Sequence, residues 1–122
     1  MEQGKIMPNE VRLQRIADRI REILAEMLFR EINDPRLANI TITDVTVDRE
    51  LAYANIFISC LEGSVRREEI LAGFKHAKGF IRRELANRID LRSFPQLRFH
   101  WDPTPEHADH IEKLINELHR DE

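Results

Sequence analysis

A chain of 122 residues that is 42% hydrophobic and 34% charged has the size and balance of one globular domain, not of a disordered tail. Its apolar runs, such as Ile23-Leu24-Ala25 and Met27-Leu28-Phe29, are far too short to span a membrane, and the polar start Met1-Glu2-Gln3-Gly4-Lys5 lacks the form of a signal peptide. A single Cys60 excludes an internal disulfide and a multi-cysteine metal site, so the chain is expected to be cytoplasmic.

Residues 1–8 carry no hydrophobic period and are expected to form a flexible N-terminal arm. From Asn9, a candidate N-cap, apolar residues recur at helical spacing through Leu13, Ile16, Ala17, Ile20, Ile23, Leu24, Met27, Leu28 and Ile32. Pro35 cannot continue that helix and biases Asp34 away from helical angles, so Asn33-Asp34-Pro35 stops it. The β-branched run Ile40-Thr41-Ile42-Thr43 and Val45-Thr46-Val47 predicts a strand. Its apolar parity flips across Asp44, which predicts a bulge. Ala52 to Cys60 alternates as a second strand, and the short link Asp48-Arg49-Glu50-Leu51 predicts an antiparallel hairpin.

Ser64 is a candidate cap for a second helical stretch, with Ile70, Leu71, Phe74, Ala77, Ile81, Leu85 and Ile89 as its apolar stripe. Glycine costs about 1 kcal/mol inside a helix, so Gly79 predicts a kink or break there. Pro95 opens a third strand with Leu97, Phe99 and Trp101 on one side and Gln96, Arg98 and His100 on the other. Thr104-Pro105-Glu106 starts a final helix. This order predicts an α+β fold, a type II KH-like domain (helix, strand, strand, helix, kink, helix, strand) with a three-stranded sheet and an added C-terminal helix. The expected boundaries are 9–103 for the domain and 104–122 for the helix.

Charge is unevenly placed along this order. The formal net charge is −3, yet residues 66–98 hold nine basic against four acidic residues, and residues 99–122 hold two against seven. The basic stretch can attract a polyanion locally, or it can be a solvated helical face. Lys75, Lys78 and Arg82 share a ridge if helical phase survives Gly79, and Arg83, Arg88 and Arg92 extend the cationic surface. A glycine there lets another backbone approach closely, and a fresh helix start would offer unpaired N–H groups to a phosphate. Tyr53 and Phe57 could stack on bases, but packing is the usual fate of strand aromatics. Arg36 could touch a polyanion, although Asp34-Pro35-Arg36 reads more simply as a turn. Arg12, Arg15 and Arg19 are interspersed with acids, as on a solvated face.

Catalysis and cofactors find little support. His100, His107 and His110, with Asp102, Glu106 and Asp109, are the metal-like cluster, but no Cys pair or His-Glu-x-x-His motif accompanies them. No nucleophile–base–orienter set and no Walker-type glycine loop is visible. The chain is read as a monomer without cofactor, membrane or small-molecule substrate. Two rivals remain: a protein-interaction adaptor using the acidic C-terminal helix, and a small metal-dependent hydrolase built on the histidines.

The motifs Asp34-Pro35-Arg36, Asp48-Arg49-Glu50-Leu51, Ala54-Asn55-Ile56-Phe57-Ile58-Ser59, Ala77-Lys78-Gly79-Phe80-Ile81-Arg82 and Leu91-Arg92 before Pro95-Gln96-Leu97-Arg98-Phe99, ending in Asp102, resemble the ribosome-binding factor A family. The similarity runs in order from Asn9 to Leu118. It implies a KH-like RNA-binding domain whose central helices are separated by an Ala-x-Gly break, here Ala77-Lys78-Gly79. It also implies a non-catalytic assembly factor that binds the immature 30S subunit and 16S rRNA, supports maturation of the 16S 5′ end region, and matters at low temperature. The RNA-facing candidates are then Lys75, Lys78, Gly79, Arg82, Arg83, Arg88 and Arg92, with Arg36 and Ala77 secondary.

Overall fold

A computed structural model describes residues 8–120, so the expected arm, apart from its last residue, lies outside the described part. Helix α1 runs Pro8–Arg30. It opens before the expected Asn9 cap, because a proline's missing N–H costs nothing at the first helical position. Ile16, Ala17, Ile20, Ile23, Leu24 and Met27 form its buried stripe. The N–H groups of Glu31 and Ile32 both close on the Met27 carbonyl, and a 3₁₀ turn at Pro35–Leu37 then drives Leu37 into the core.

Strands β1 (Ile40–Val47) and β2 (Tyr53–Cys60) pair antiparallel, with the register slipping between Ile42 and Asp44. That slip is the bulge the parity change predicts, and it lets Ile42 and Val45 both face the core. In the connecting turn the Asp48 carboxylate accepts hydrogen bonds from the N–H groups of Ala52 (2.7 Å) and Tyr53 (3.0 Å). These bonds hold a turn in which Leu51 takes a left-handed φ of 57°.

A second 3₁₀ turn, Gly63–Arg66, leads into α2 (Arg67–Arg88), and β3 (Gln96–Trp101) then lies parallel to β2, giving the sheet order β1-β2-β3. Helix α3 follows at Thr104–Arg120. Ala54, Ile56, Ile58 and Leu97 are fully buried in one cluster with Ile20, Leu24, Phe74 and Ile81, which places α1 and α2 on one face of the sheet. The α+β order is the one expected of a KH-like domain. No helix among the described residues is long and apolar enough to cross a membrane.

Two local expectations are corrected. The break at Gly79 is absent: α2 is one continuous helix through Ala77-Lys78-Gly79. Burial of Ile70, Phe74, Ile81 and Leu85 on both sides of the glycine outweighs its cost of about 1 kcal/mol. Ser64 does not cap α2 either, because the 3₁₀ turn places Arg66 at the cap position without a side-chain bond. The Ser64 N–H and hydroxyl instead both donate to Glu106 Oε2 at 3.2 Å, tying α3 to the body.

Candidate nucleic-acid interface

Continuity of α2 decides how its cations are arranged. At 3.6 residues per turn, Lys75, Lys78, Arg82 and Arg83 are the i−4, i−1, i+3 and i+4 neighbours of Gly79. Gly79 is exposed, and a Cβ placed on it would meet nothing within 4 Å. Lys75, Arg82 and Arg83 therefore border a patch of bare backbone on the outer surface of the helix, with Lys78 about 100° round it towards β3. The fresh helix start that a break would have supplied is not part of this surface.

The cations differ in what else they do. Lys75 and Arg83 are exposed, Lys78 is half-buried, and Arg92 is exposed in the loop before β3. None of these four forms an ion pair among the described residues. Arg82 is otherwise engaged: its Nη2 donates to the Phe94 carbonyl at 2.6 Å and its Nε to the Pro95 carbonyl at 3.0 Å. It pins the loop that feeds β3. Arg88 donates to Glu31 at 2.7 Å and to Glu84 at 3.2 Å, and the Glu31 carboxylate holds its guanidinium pKa above the ordinary value. Ala77 is half-buried against the core.

Two contacts align α2 with β3. Arg82 grips Pro95 just before the strand, and about two turns earlier Phe74 stacks on Phe99 with centroids 4.6 Å apart. Lys78 lies between these anchors, so the cationic flank of α2 runs beside β3. That strand is at the sheet's edge and bonds only to β2 among the described strands.

Arg36 is a structural residue. Its fork closes on Asp34, with Nη2 at 2.8 Å from Oδ2, while its N–H donates to Oδ1 at 3.0 Å. The guanidinium, then the N–H, holds the Asp34 carboxyl below the usual carboxylate range. Sequence reasoning missed two supports of this turn. Arg66 donates to the carbonyls of Ala38 (3.0 Å) and Arg36 (3.1 Å), and Gly73 lets α2 come so close that a Cβ there would lie 2.9 Å from Leu37. Both act between segments far apart in the chain, so no local pattern could reveal them.

The histidines do not converge. Among the described residues no group of three or more His, Cys, Asp and Glu is placed to hold a metal ion. His100 instead stacks on Phe57, with centroids 5.0 Å apart, and bonds Asn55 at 2.8 Å, while the His110 and Asp109 side chains lie outside the description. Cys60 is buried, with its thiol 3.5 Å from the Gly63 carbonyl.

Residues 12–115 match the family model of ribosome-binding factor A. The chain is 39% identical over 117 residues to ribosome-binding factor A of Aromatoleum aromaticum, covering 95% of this chain and 92% of that one. It is 43% identical over 114 residues to the factor of Syntrophobacter fumaroxidans, covering 91% and 97%. In structure it resembles the crystallised ribosome-binding factor A of Thermus thermophilus, with a TM-score of 0.65 at 21% identity over 73% of this chain and 93% of that one. It is also similar to a homology model of the Thermus thermophilus factor fitted into a cryo-EM map of a 30S complex, with a TM-score of 0.54 at 22% identity, covering 68% and 87%.

Proposed function

Because this chain belongs to the ribosome-binding factor A family, we propose that it is a non-catalytic assembly factor that binds the immature 30S subunit through 16S rRNA. It works in the cytoplasm as a monomer, supports maturation of the 16S 5′ end region, and matters most in the cold. Residues 9–103 act as the RNA-binding domain and residues 104–122 as an appended helix. The observation that carries the contact is the set of cations around bare Gly79 on an unbroken helix.

A phosphodiester can approach that backbone closely because no Cβ stands in the way, while Lys75, Lys78 and Arg83 neutralise its charge. Arg92 extends the cationic track. Such contacts orient the protein without reading sequence, so selectivity comes from the shape of one rRNA conformer. Binding that conformer better than the mature one shifts the folding equilibrium of the rRNA, and loss of the preference releases the factor.

The test replaces cations with no structural duty. Lys75→Glu combined with Lys78→Glu is expected to weaken co-sedimentation with immature 30S subunits by about tenfold or more, with the far-UV spectrum unchanged. Arg82 is left intact because its loss would disturb the fold as well as any contact. Undiminished co-sedimentation of the double variant would overturn this surface as the anchor.

A further inference from the structure

The two helices cover one side of the sheet, and the opposite side carries an aromatic arrangement with no role in the core. At the end where β2 and β3 begin, Arg98 lies over the Tyr53 ring, its guanidinium carbon 3.4 Å from the centroid. Tyr53 is 37% exposed, and Arg98 and Gln96 beside it are exposed. Arg98 pairs with no carboxylate among the described residues. One strand step further, His100 stacks on Phe57, and its Nε2 is bonded to Asn55. Arg98 and His100 are thus two flat groups on the same side of β3, about 6.6 Å apart at two strand residues. That is close to the stride of a nucleic-acid strand whose bases are splayed apart.

We propose that this open face stacks unpaired bases of single-stranded RNA, with the outer plane of the Arg98 guanidinium, backed by Tyr53, as the first platform and His100 on Phe57 as the second. The inference rests on the RNA-binding function proposed above and adds a contact on the other side of the sheet.

Three features select this occupant. A guanidinium already flattened on a phenol ring has lost its rotamer freedom and offers a π-plane with positive charge, the surface on which bases stack. The cationic flank of α2 runs along the same edge strand, β3, so a strand lying over that edge meets phosphate-binding groups on one side and stacking groups on the other. Acids delimit the platform: exposed Asp44 is paired with Phe57 in the sheet register, and Asp102 lies at the far end of β3. At the Tyr53–Arg98 end the Asp48 carboxylate is taken up by the N–H groups of Ala52 and Tyr53, which leaves the Arg98 guanidinium as the charged group that meets a polyanion there.

The experiment measures fluorescence anisotropy of the full chain with a labelled, unstructured RNA oligonucleotide and with an abasic strand of equal length. The wild-type chain should bind the base-bearing strand more tightly. Arg98→Lys, which keeps the charge and removes the plane, and Tyr53→Ala, which removes its backing, should each lower that affinity about tenfold while hardly changing binding of the abasic strand. The inference falls if the wild-type chain does not distinguish the strands, if Arg98→Lys binds both like wild type, or if the variants lose affinity equally for both. It also falls if the free chain self-associates and Tyr53→Ala abolishes that association, which would make a second copy the occupant. Should Tyr53→Ala fail to fold, Arg98→Lys alone decides. Co-sedimentation of the lysine double variant with 30S subunits reads the underlying function separately, so either claim can fail without the other.

Discussion

Two glycines in α2 illustrate how one residue type serves opposite ends. Gly73 faces the turn at Pro35–Leu37, where an added methyl would lie 2.9 Å from Leu37 Cδ2 and 3.2 Å from both Leu37 Cγ and Arg36 Cβ. That turn cannot move aside easily, being held by the Asp34–Arg36 fork and by Arg66 on two carbonyls. Gly73→Ala is therefore expected to destabilise the protein by about 1–2 kcal/mol, as overpacking outweighs the helix-propensity gain. Gly79→Ala meets no atom and should stabilise by about 0.5–1 kcal/mol. If the bare backbone is where RNA approaches, the same change weakens 30S binding. Opposite signs in thermal unfolding and co-sedimentation are the signature to look for. A Gly79→Ala chain both more stable and fully competent would show that RNA does not approach the backbone at this position. The sequence identifies Gly79 as unusual because it interrupts an apolar period, whereas Gly73 is silent because its partner is remote.

At the scale of elements, the hairpin, its bulge and the buried stripe of α1 were legible because each depends on periods of two or 3.6 within a few residues. The break at Gly79 was misread because propensity is local and the packing of Phe74 and Ile81 that overrides it is not. The join between the sheet and α3 was also hidden. Asp102 Oδ2 accepts from the Thr43 hydroxyl at 2.6 Å and Oδ1 from the Thr104 N–H at 2.9 Å, so one carboxylate ties the β1 bulge to the end of β3 and the start of α3. The Thr43 bond, then those from Thr104, lowers the Asp102 pKa. A carboxyl with a depressed folded pKa contributes stability that is present above the unfolded value and is lost as pH falls through the folded one. Asp102→Asn should accordingly lower stability by about 1 kcal/mol at neutral pH. The gap between variant and wild-type melting temperatures should close as pH is taken below about 4. A gap independent of pH would mean that the hydrogen bonds survive without the charge.

For the whole molecule, a formal net charge of −3 rules out long-range attraction to RNA and leaves a local patch to do the binding. Screening restricts such a patch to about 8–10 Å at physiological salt, so the contact must be intimate and few-membered. The structure reduces the candidates further, since Arg82 and Arg88 already have partners and Arg36 is closed on Asp34. Lys75, Lys78, Arg83 and Arg92 remain as the proposed phosphate contacts. Each contact releases roughly 0.7 of a counterion from single-stranded RNA and roughly 0.9 from a duplex. The log–log dependence of affinity on salt should therefore have a slope of about −3. Lys78→Gln should make it shallower by a little under one unit, and Arg88→Gln should leave it unchanged. Titrations of an RNA oligonucleotide over a range of potassium chloride concentrations measure all three slopes. A wild-type slope of about −5 that persists in Arg98→Gln would point to Arg82 and Arg88 abandoning their protein partners on binding. In that case the loop before β3 would reorganise in the complex, and the rigid cationic surface described here would be only the unbound form.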